Sequence, residues 1–151
     1  MDELVVSVIK PNQTNKSYEE VIQDLSDECD VVNLLSFNEI NIQDKLFTNA
    51  AKVQHYTELY YREKNDYDKI IEIKEALIGK KFEYYKTNAD LLLKQSEIEK
   101  YYLPRDPDIM RITSIARQQK WRVDFYWGLK GALEKQGWNM MNYLKSMQVG
   151  L

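Results

Sequence analysis

Cysteine and histidine are almost missing from this chain of 151 residues, which has one of each, Cys29 and His55. A single cysteine excludes an internal disulfide, and a transition-metal site is not expected without clustered cysteine and histidine side chains. Any Ser/His/Asp or Cys/His nucleophile arrangement would have to recruit His55. We therefore expect no cofactor and no enzymatic activity, with Cys29 buried or half-buried and His55 at a packing position or at the solvent edge.

Glycine and proline are also scarce, at five and three residues, so long uninterrupted helices are possible. The longest apolar runs, VVSVI and DVVNLL, are far too short to span a membrane. No basic segment typical of a signal peptide opens the chain, so the expected location is the cytoplasm. Hydrophobic residues make up 44% and charged residues 30%, which is typical of a charge-rich helical protein. We expect an all-α fold.

The net charge of −3 conceals an uneven distribution along the chain. Residues 1–40 contain nine acidic residues and two lysines, a net charge of −7, whereas the remainder carries +4. This division predicts an acidic N-terminal arm with a short helix over residues 1–40 and a helical domain over residues 41–151. A basic body is typical of polyanion binding and an acidic arm suits a basic partner, but simple solvation accounts for both equally well.

Two shorter segments can be placed from helix start and stop signals. A β-type run covers Leu4 to Ile9, and Ser17 then opens a capping box before a helix from about Tyr18 to Glu28. Near the other end, Asp106 or Asp108 is expected to cap a helix that runs from about Pro107 to Gln136. Gly137 is predicted to end that helix, so that a last short helix completes a C-terminal helical hairpin.

The stretch from Ile42 to Thr87 contains no proline, and its apolar residues recur with a heptad period. It predicts one helix of about 45 residues, roughly 70 Å long. The seam of this heptad consists of Leu46, Asn49, Val53, Tyr56, Tyr60, Glu63, Tyr67, Ile70, Lys74, Leu77, Lys81 and Tyr84. So long a helix exceeds what a compact domain of this size can cover, which predicts burial against other copies of the chain or against another chain. The residues expected at that oligomer contact are Leu46, Val53, Tyr56, Tyr60, Tyr67, Ile70, Leu77 and Tyr84.

Cations and aromatic rings alternate in KKFEYYK, where helical spacing places Lys80 beside Tyr84 and Lys81 beside Tyr85. Lysines neutralise phosphates and tyrosines stack on bases, so the stretch suits single-stranded DNA. Tyr84 also falls on the heptad seam, where it would be buried instead. The residues expected to bind single-stranded DNA are Lys80, Lys81, Tyr85 and Lys86, together with a second basic cluster of Arg111, Arg117 and Lys120. In that cluster Trp121, Phe125, Trp127 and Leu129 are predicted to be core residues.

Two motifs in this order resemble the UvsY-type recombination mediators of bacteriophages. The first is Lys81-Phe82-Glu83-Tyr84-Tyr85, and the second is the set Asp124, Phe125, Gly128, Ala132, Gly137 and Trp138 near the carboxyl terminus. The resemblance covers about residues 42–147 and implies a hexameric or heptameric helical ring that binds single-stranded DNA in the host cytoplasm. It further implies that the ring loads a RecA-like recombinase onto DNA coated with single-strand-binding protein, in recombination and repair. In that family the two basic residues of the first motif carry the affinity for DNA. Lys81 matches the second of them, whereas the first falls on Gly79, with the charge moved one residue to Lys80.

Two other functions are compatible with the residues. A structural coiled-coil assembly or scaffold protein would use the tyrosines as seam and the lysines for solubility only. A divalent-metal nuclease would use the acids around Glu97 and Asp108, but their order and helical context do not follow the common nuclease pattern.

Overall fold

A computed structural model describes residues 16–88 and 93–149, and all regular secondary structure in those two ranges is helical. Helix α1 spans Tyr18–Glu28, α2 Val31–Leu35 and α3 Ile42–Asn88. A short α4 at Gln95–Glu97 leads into a π-helical turn at Ile98–Tyr102 and a 3-10 turn at Leu103–Arg105. Helix α5 spans Pro107–Val149. The prediction of an all-α fold is thus confirmed for the described residues.

Helix α1 has the predicted bounds, and the side chain of Ser17 caps it by accepting a hydrogen bond from the N–H of Glu20 at 3.2 Å. Helix α3 is continuous over 47 residues, as the lack of proline predicts. The β-type run predicted at Leu4 to Ile9 lies outside the described residues. Between α1 and α2, Asp30 adopts a left-handed backbone with φ of 48°, a conformation that aspartate tolerates better than most residues.

The predicted break at Gly137 is wrong, because α5 continues through this residue without interruption and forms no C-terminal helical hairpin. Gly137 has a helical backbone, so it does not serve as a left-handed C-terminal cap. Its role is spatial. A Cβ atom at this position would lie 2.6 Å from Oδ1 of Asn49, whose Nδ2 donates a hydrogen bond to the carbonyl of Leu133 at 3.0 Å.

We therefore expect Gly131 and Gly137 of α5 to respond differently to replacement by alanine. Gly131 has open space around the Cβ position, so Gly131→Ala should raise the free energy of unfolding by about 0.5–1 kcal/mol through helix propensity. Gly137→Ala should lack this gain, because Asn49 must move and lose its hydrogen bond. In an Asn49→Ala background Gly137→Ala should become stabilising. Thermal unfolding of the four variants measures this coupling, and equal effects of the two glycine substitutions in the wild-type background would contradict it.

The described residues form two compact units. The first unit contains residues 65–88 of α3, the turns between residues 93 and 106, and residues 107–120 of α5. Its core consists of Ile70, Ile112, Ile115 and Ala116, with Tyr67, Ile71, Ile73 and Leu77 packed against them. Lys81 contacts the start of α5 while Tyr67 contacts Lys120, so the two helix segments of this unit run antiparallel.

The second unit contains α1, α2, residues 42–64 of α3 and residues 121–149 of α5. Val21 and Leu25 of α1 are buried beside Tyr126 of α5, so the described part of the acidic arm contributes to a core. Cys29, Tyr56, Leu59, Tyr60, Trp121 and Phe125 pack against that core. Cys29 is half-buried and His55 exposed, in agreement with the sequence.

The heptad seam of α3 faces inward, since every one of its twelve positions except Tyr84 is buried or half-buried. The inference that other copies or another chain must cover it is wrong, because α5 of the same chain supplies packing partners in each unit. Among the residues predicted for the oligomer contact, Tyr67, Ile70 and Leu77 pack in the first core, and Tyr56 and Tyr60 in the second. Leu46 and Val53 are half-buried, and Tyr84 is 55% exposed.

Candidate nucleic-acid interface

All residues predicted to bind single-stranded DNA belong to the first unit. On the last turns of α3, Lys80 and Lys86 are exposed, whereas Lys81 and Tyr85 are half-buried. Tyr84 is exposed, so it is available as a platform while Tyr85 points inward. The prediction that Tyr84 lies on the seam and Tyr85 outside it is therefore wrong.

Tyr85 and Lys81 both point inward because they contact Asp106, which is 3% exposed. The hydroxyl of Tyr85 donates to Oδ2 of Asp106 at 2.6 Å, and Nζ of Lys81 lies 3.3 Å from the same oxygen. Nζ of Lys81 also pairs with Oδ2 of Asp108 at 2.8 Å. We call this arrangement of Lys81, Tyr85, Asp106 and Asp108 the carboxylate clamp.

Asp106 also caps α5. Its Oδ1 accepts hydrogen bonds from the N–H groups of Asp108 at 2.9 Å and Ile109 at 3.2 Å. Asp106 is thus the N-cap residue, and Pro107 occupies the first helical position, where its missing N–H has no cost. One side chain therefore starts α5 and fastens it to the end of α3.

The clamp shifts the ionisation of its members. Burial alone would raise the pKa of Asp106, but hydrogen bonds from Tyr85, the N–H of Ile109 and Lys81 outweigh burial, and the pKa is lowered. The pKa of Lys81 is raised, chiefly by its hydrogen bond to Asp108. The pKa of the Tyr85 hydroxyl is raised because it donates to the carboxylate of Asp106. All three groups are accordingly in their hydrogen-bonded ionisation states at neutral pH.

The clamp changes the roles assigned from the sequence. Lys81, which the family motif favours as the phosphate contact, has its charge compensated by two carboxylates. Lys80, the less secure match to the motif, is the more exposed of the two lysines. Lys81 and Tyr85 thus position the neighbouring residues, and contact with solvent falls to Lys80, Tyr84 and Lys86.

The π-helical turn adds an aromatic surface that is not among the residues predicted to bind DNA. Tyr101 is 50% and Tyr102 39% exposed, and the ring of Tyr102 lies 5.4 Å from that of Tyr85. Nζ of Lys100 sits 5.3 Å from the centre of the Tyr101 ring. The missed signal is the segment KYYLPR, which repeats the alternation of cations and tyrosine pairs seen in KKFEYYK. Single π-helical turns are common at functional sites.

A groove of about 550 Å³ lies between this turn and the end of α3. Its walls are formed by Tyr85, Leu93, Glu97, Tyr101, Tyr102 and Arg105. The groove thus combines three aromatic rings with one carboxylate and one guanidinium group.

The second basic cluster is on α5, where Arg111, Arg117 and Lys120 are all exposed. At about 100° per residue, Arg117 and Lys120 lie about 60° apart on the helix, and Arg111 lies about 120° from Arg117. Two of the three residues thus share a face. Nζ of Lys120 is 5.8 Å from the centre of the Tyr67 ring.

The four apolar residues that follow this cluster differ in burial. Leu129 is buried and Trp121 and Phe125 are half-buried, as predicted, but Trp127 is 54% exposed. The prediction of Trp127 as a core residue is therefore wrong. The centre of its ring lies 4.9 Å from that of Tyr60 and 4.6 Å from Nζ of Lys130. These contacts cover only part of the indole, and the rest faces solvent.

Within the described ranges, no three histidine, cysteine or acidic side chains are grouped so that they would hold a metal ion. None of the helices in the described part of the chain combines the length and apolar character that a membrane crossing requires. The chain matches no protein-family model, and no curated protein or solved structure is significantly similar to it. The resemblance seen in the sequence motifs therefore stays a prediction.

Proposed function

We propose that this chain binds single-stranded DNA through the first unit and acts, as a homo-oligomer, as a recombination mediator. In this role it helps to load a RecA-like recombinase onto DNA coated with single-strand-binding protein. The observation that carries the proposal is the gathering of exposed tyrosines and exposed basic residues in one unit. Tyr84, Tyr101 and Tyr102 supply rings, and Lys80, Lys86, Arg111, Arg117 and Lys120 supply charge.

The charge distribution supports this choice of unit. Residues 65–88 and 93–120 hold eleven basic and nine acidic residues, whereas residues 17–64 and 121–149 hold eight basic and twelve acidic residues. Two acids of the first unit, Asp106 and Asp108, face Lys81 in the clamp. Because each stacked base contributes about 1–3 kcal/mol whatever its identity, exposed tyrosines beside cations suit a strand of varied sequence.

The mediator role depends on several copies acting together. Each copy offers a modest site, and linking copies in a ring makes later contacts intramolecular, which raises the overall affinity. A strand bent around such a ring would favour the recombinase if the recombinase binds that conformation more tightly. Neither step requires a cofactor or hydrolysis by this chain.

Self-association in this proposal uses the second unit. The heptad seam is occupied within the chain, but large side chains remain exposed elsewhere: Phe47 at 89%, Tyr61 at 62%, Trp127 at 54% and Trp138 at 66%. Trp127 and Trp138 are eleven residues apart on α5, about three helical turns, and therefore point in nearly the same direction. An aromatic side chain buries roughly 150–250 Å², so these residues supply much of the roughly 800 Å² per partner that a stable interface needs.

Replacing Trp138 by lysine should therefore weaken the oligomer by at least 10-fold in dissociation constant, since it puts a charge into an apolar contact. Sedimentation equilibrium measures this effect. Met110→Lys is the matched control, because Met110 is 58% exposed and lies in the first unit. A wild-type chain that sediments as an 18 kDa monomer would contradict self-association.

DNA binding is tested by titrating the chain into dye-labelled oligo-dT and following fluorescence anisotropy. We expect saturable binding that is weakened by salt. Duplex DNA of the same length should bind more weakly, because its bases are not available for stacking. No binding to the single strand would refute the proposal.

A structural assembly protein without DNA binding is the second candidate. The inward-facing tyrosines of α3 favour it, because Tyr56, Tyr60 and Tyr67 serve packing. It predicts the same oligomer but no change in thermal stability when oligo-dT is added.

A further inference from the structure

The groove in the first unit has the chemical features of a nucleobase site. Three of its walls are tyrosine rings, and its volume of about 550 Å³ lies within the range of small-molecule sites, roughly 300–1,000 Å³. Two of these rings are held in fixed positions by contacts within the protein. Tyr85 is held in place by its hydrogen bond to Asp106, and Tyr102 packs on Tyr85 with ring centres 5.4 Å apart.

Glu97 gives this groove a means of choosing between bases. Its side chain is half-buried and lines the groove. Among the contacts of the described residues, the carboxylate accepts one long hydrogen bond, at 3.4 Å from the N–H of Lys94 to Oε2. An ionised carboxylate accepts hydrogen bonds and donates none. It therefore favours a base edge with donors and disfavours one with carbonyl oxygens.

Guanine fits this requirement best among the four bases. Its Watson–Crick edge presents N1–H and the N2 amino group side by side, which matches the two oxygens of a carboxylate. Thymine presents a single N–H between two carbonyl oxygens, which a carboxylate repels. Adenine and cytosine each present one amino group next to an acceptor nitrogen. Arg105 complements Glu97, because its guanidinium group donates hydrogen bonds. It therefore suits the acceptors O6 and N7 of guanine or the adjoining phosphate.

We propose that this groove captures an unstacked guanine of single-stranded DNA, with Glu97 reading its Watson–Crick edge and Tyr101 and Tyr102 stacking on its face. This inference rests on the proposed DNA-binding function and adds a base preference to it. The basic residues on α3 and α5 contact the phosphate backbone of any DNA strand, whereas the groove determines at which base along that strand the protein prefers to bind.

Competition experiments test the preference. Labelled oligo-dT serves as the tracer, and the competitors are oligo-dT strands with one central thymine replaced by guanine, adenine, cytosine or hypoxanthine. Guanine should compete at least about 5-fold better than thymine, the lower end expected for a bidentate base contact. Hypoxanthine lacks the N2 amino group and should lose most of that advantage.

Variants of the groove separate reading from stacking. Glu97→Gln should remove the guanine preference, so that the guanine and thymine competitors become equally effective, because an amide neither repels the thymine carbonyls nor accepts two hydrogen bonds from guanine. Glu99→Gln is the matched control, because Glu99 lies two residues further along the chain, is exposed and does not line the groove. Tyr101→Ala should lower the affinity for every competitor strand by about 10-fold, because it removes the stacking ring. Tyr101→Phe keeps the ring and should not lower the affinity.

Each outcome is decisive. Equal competition by guanine and thymine overturns the guanine site and leaves the proposed DNA binding in place. A guanine preference that survives Glu97→Gln overturns the role of Glu97. Failure of the tracer itself to bind overturns the proposed function.

Discussion

Replacing Asp106 by alanine is expected to lower the free energy of unfolding by about 2–4 kcal/mol, the sum of a lost helix cap and lost hydrogen bonds to a charged acceptor. The substitution removes the acceptor of the Tyr85 hydroxyl, one of the two partners of Lys81 and the N-cap of α5. A lost N-cap costs about 1 kcal/mol by itself, and lost hydrogen bonds to a buried charge account for the remainder. Urea unfolding followed by circular dichroism measures the change.

Asp108→Ala is the matched control for this experiment. Asp108 is 59% exposed and pairs with the same lysine at 2.8 Å, but it caps nothing. A surface pair of this kind contributes about 0–1 kcal/mol. If the two alanine substitutions have equal effects, Asp106 does not hold the clamp together.

The same variant should change the pH dependence of stability. Because folding lowers the pKa of Asp106, its stabilisation is present above the unfolded value of about 3.9 and is lost as the pH falls through the lower folded value. Folding raises the pKa of Lys81, so its contribution is present below about 10.4 and is lost as the pH rises through the higher folded value. Asp106→Ala should therefore flatten the acid limb of the stability curve.

Neutralising Arg111, Arg117 and Lys120 together as glutamines should weaken binding to single-stranded DNA by about 10²–10³-fold at low salt. The five exposed cations assigned to DNA contact, Lys80, Lys86, Arg111, Arg117 and Lys120, predict a slope near −3.5 for log K against log salt concentration, at about −0.7 per neutralised phosphate. Removing three of them should reduce the slope to about −1.4.

Arg62, Lys135 and Lys145 provide the matched control, since they are exposed in the second unit. Their triple replacement by glutamine makes the same change in net charge. It should leave most of the affinity and the slope intact. Equal losses in both triple variants would show that only net charge matters and that the first unit is not the site.

The sequence predicts the helices well because each depends on local signals. Ser17 supplies a cap three residues before Glu20, and α3 runs from Ile42 to Asn88 because nothing within it breaks a helix. The heptad also predicts which residues of α3 face inward. It does not reveal which helix covers them, and that partner is α5 of the same chain.

The reversal of Tyr84 and Tyr85 has a geometric cause. A straight α-helix turns about 20° less than two full turns per heptad, so a strict heptad drifts backwards around the helix. Over the five heptads from Leu46 the drift reaches about 100°, which is one residue. The inward position thus moves from Tyr84 to Tyr85, where Asp106 binds the hydroxyl.

The remaining errors concern distant contacts. Glycine is typical of a helix end, which is why the sequence predicts one at Gly137. The need for a small residue there comes instead from Asn49, 88 positions earlier in the chain. KYYLPR signals Tyr101 and Tyr102 by composition, but their place beside Tyr85 depends on a π-helical turn, which has no simple sequence signature. The sequence indicates Asp106 as a candidate cap, but its contacts with Lys81 and Tyr85 depend on the pairing of α3 with α5 in the first unit.

Fluorescence anisotropy of labelled oligo-dT across a salt series, with the wild-type chain and the Arg111/Arg117/Lys120 glutamine variant side by side, tests the central claim most directly. We expect the wild type to bind with a steep negative salt slope, and the variant to bind weakly with a slope at least halved. Absence of wild-type binding, or binding that is independent of salt and equal in the two chains, would contradict DNA recognition by the first unit.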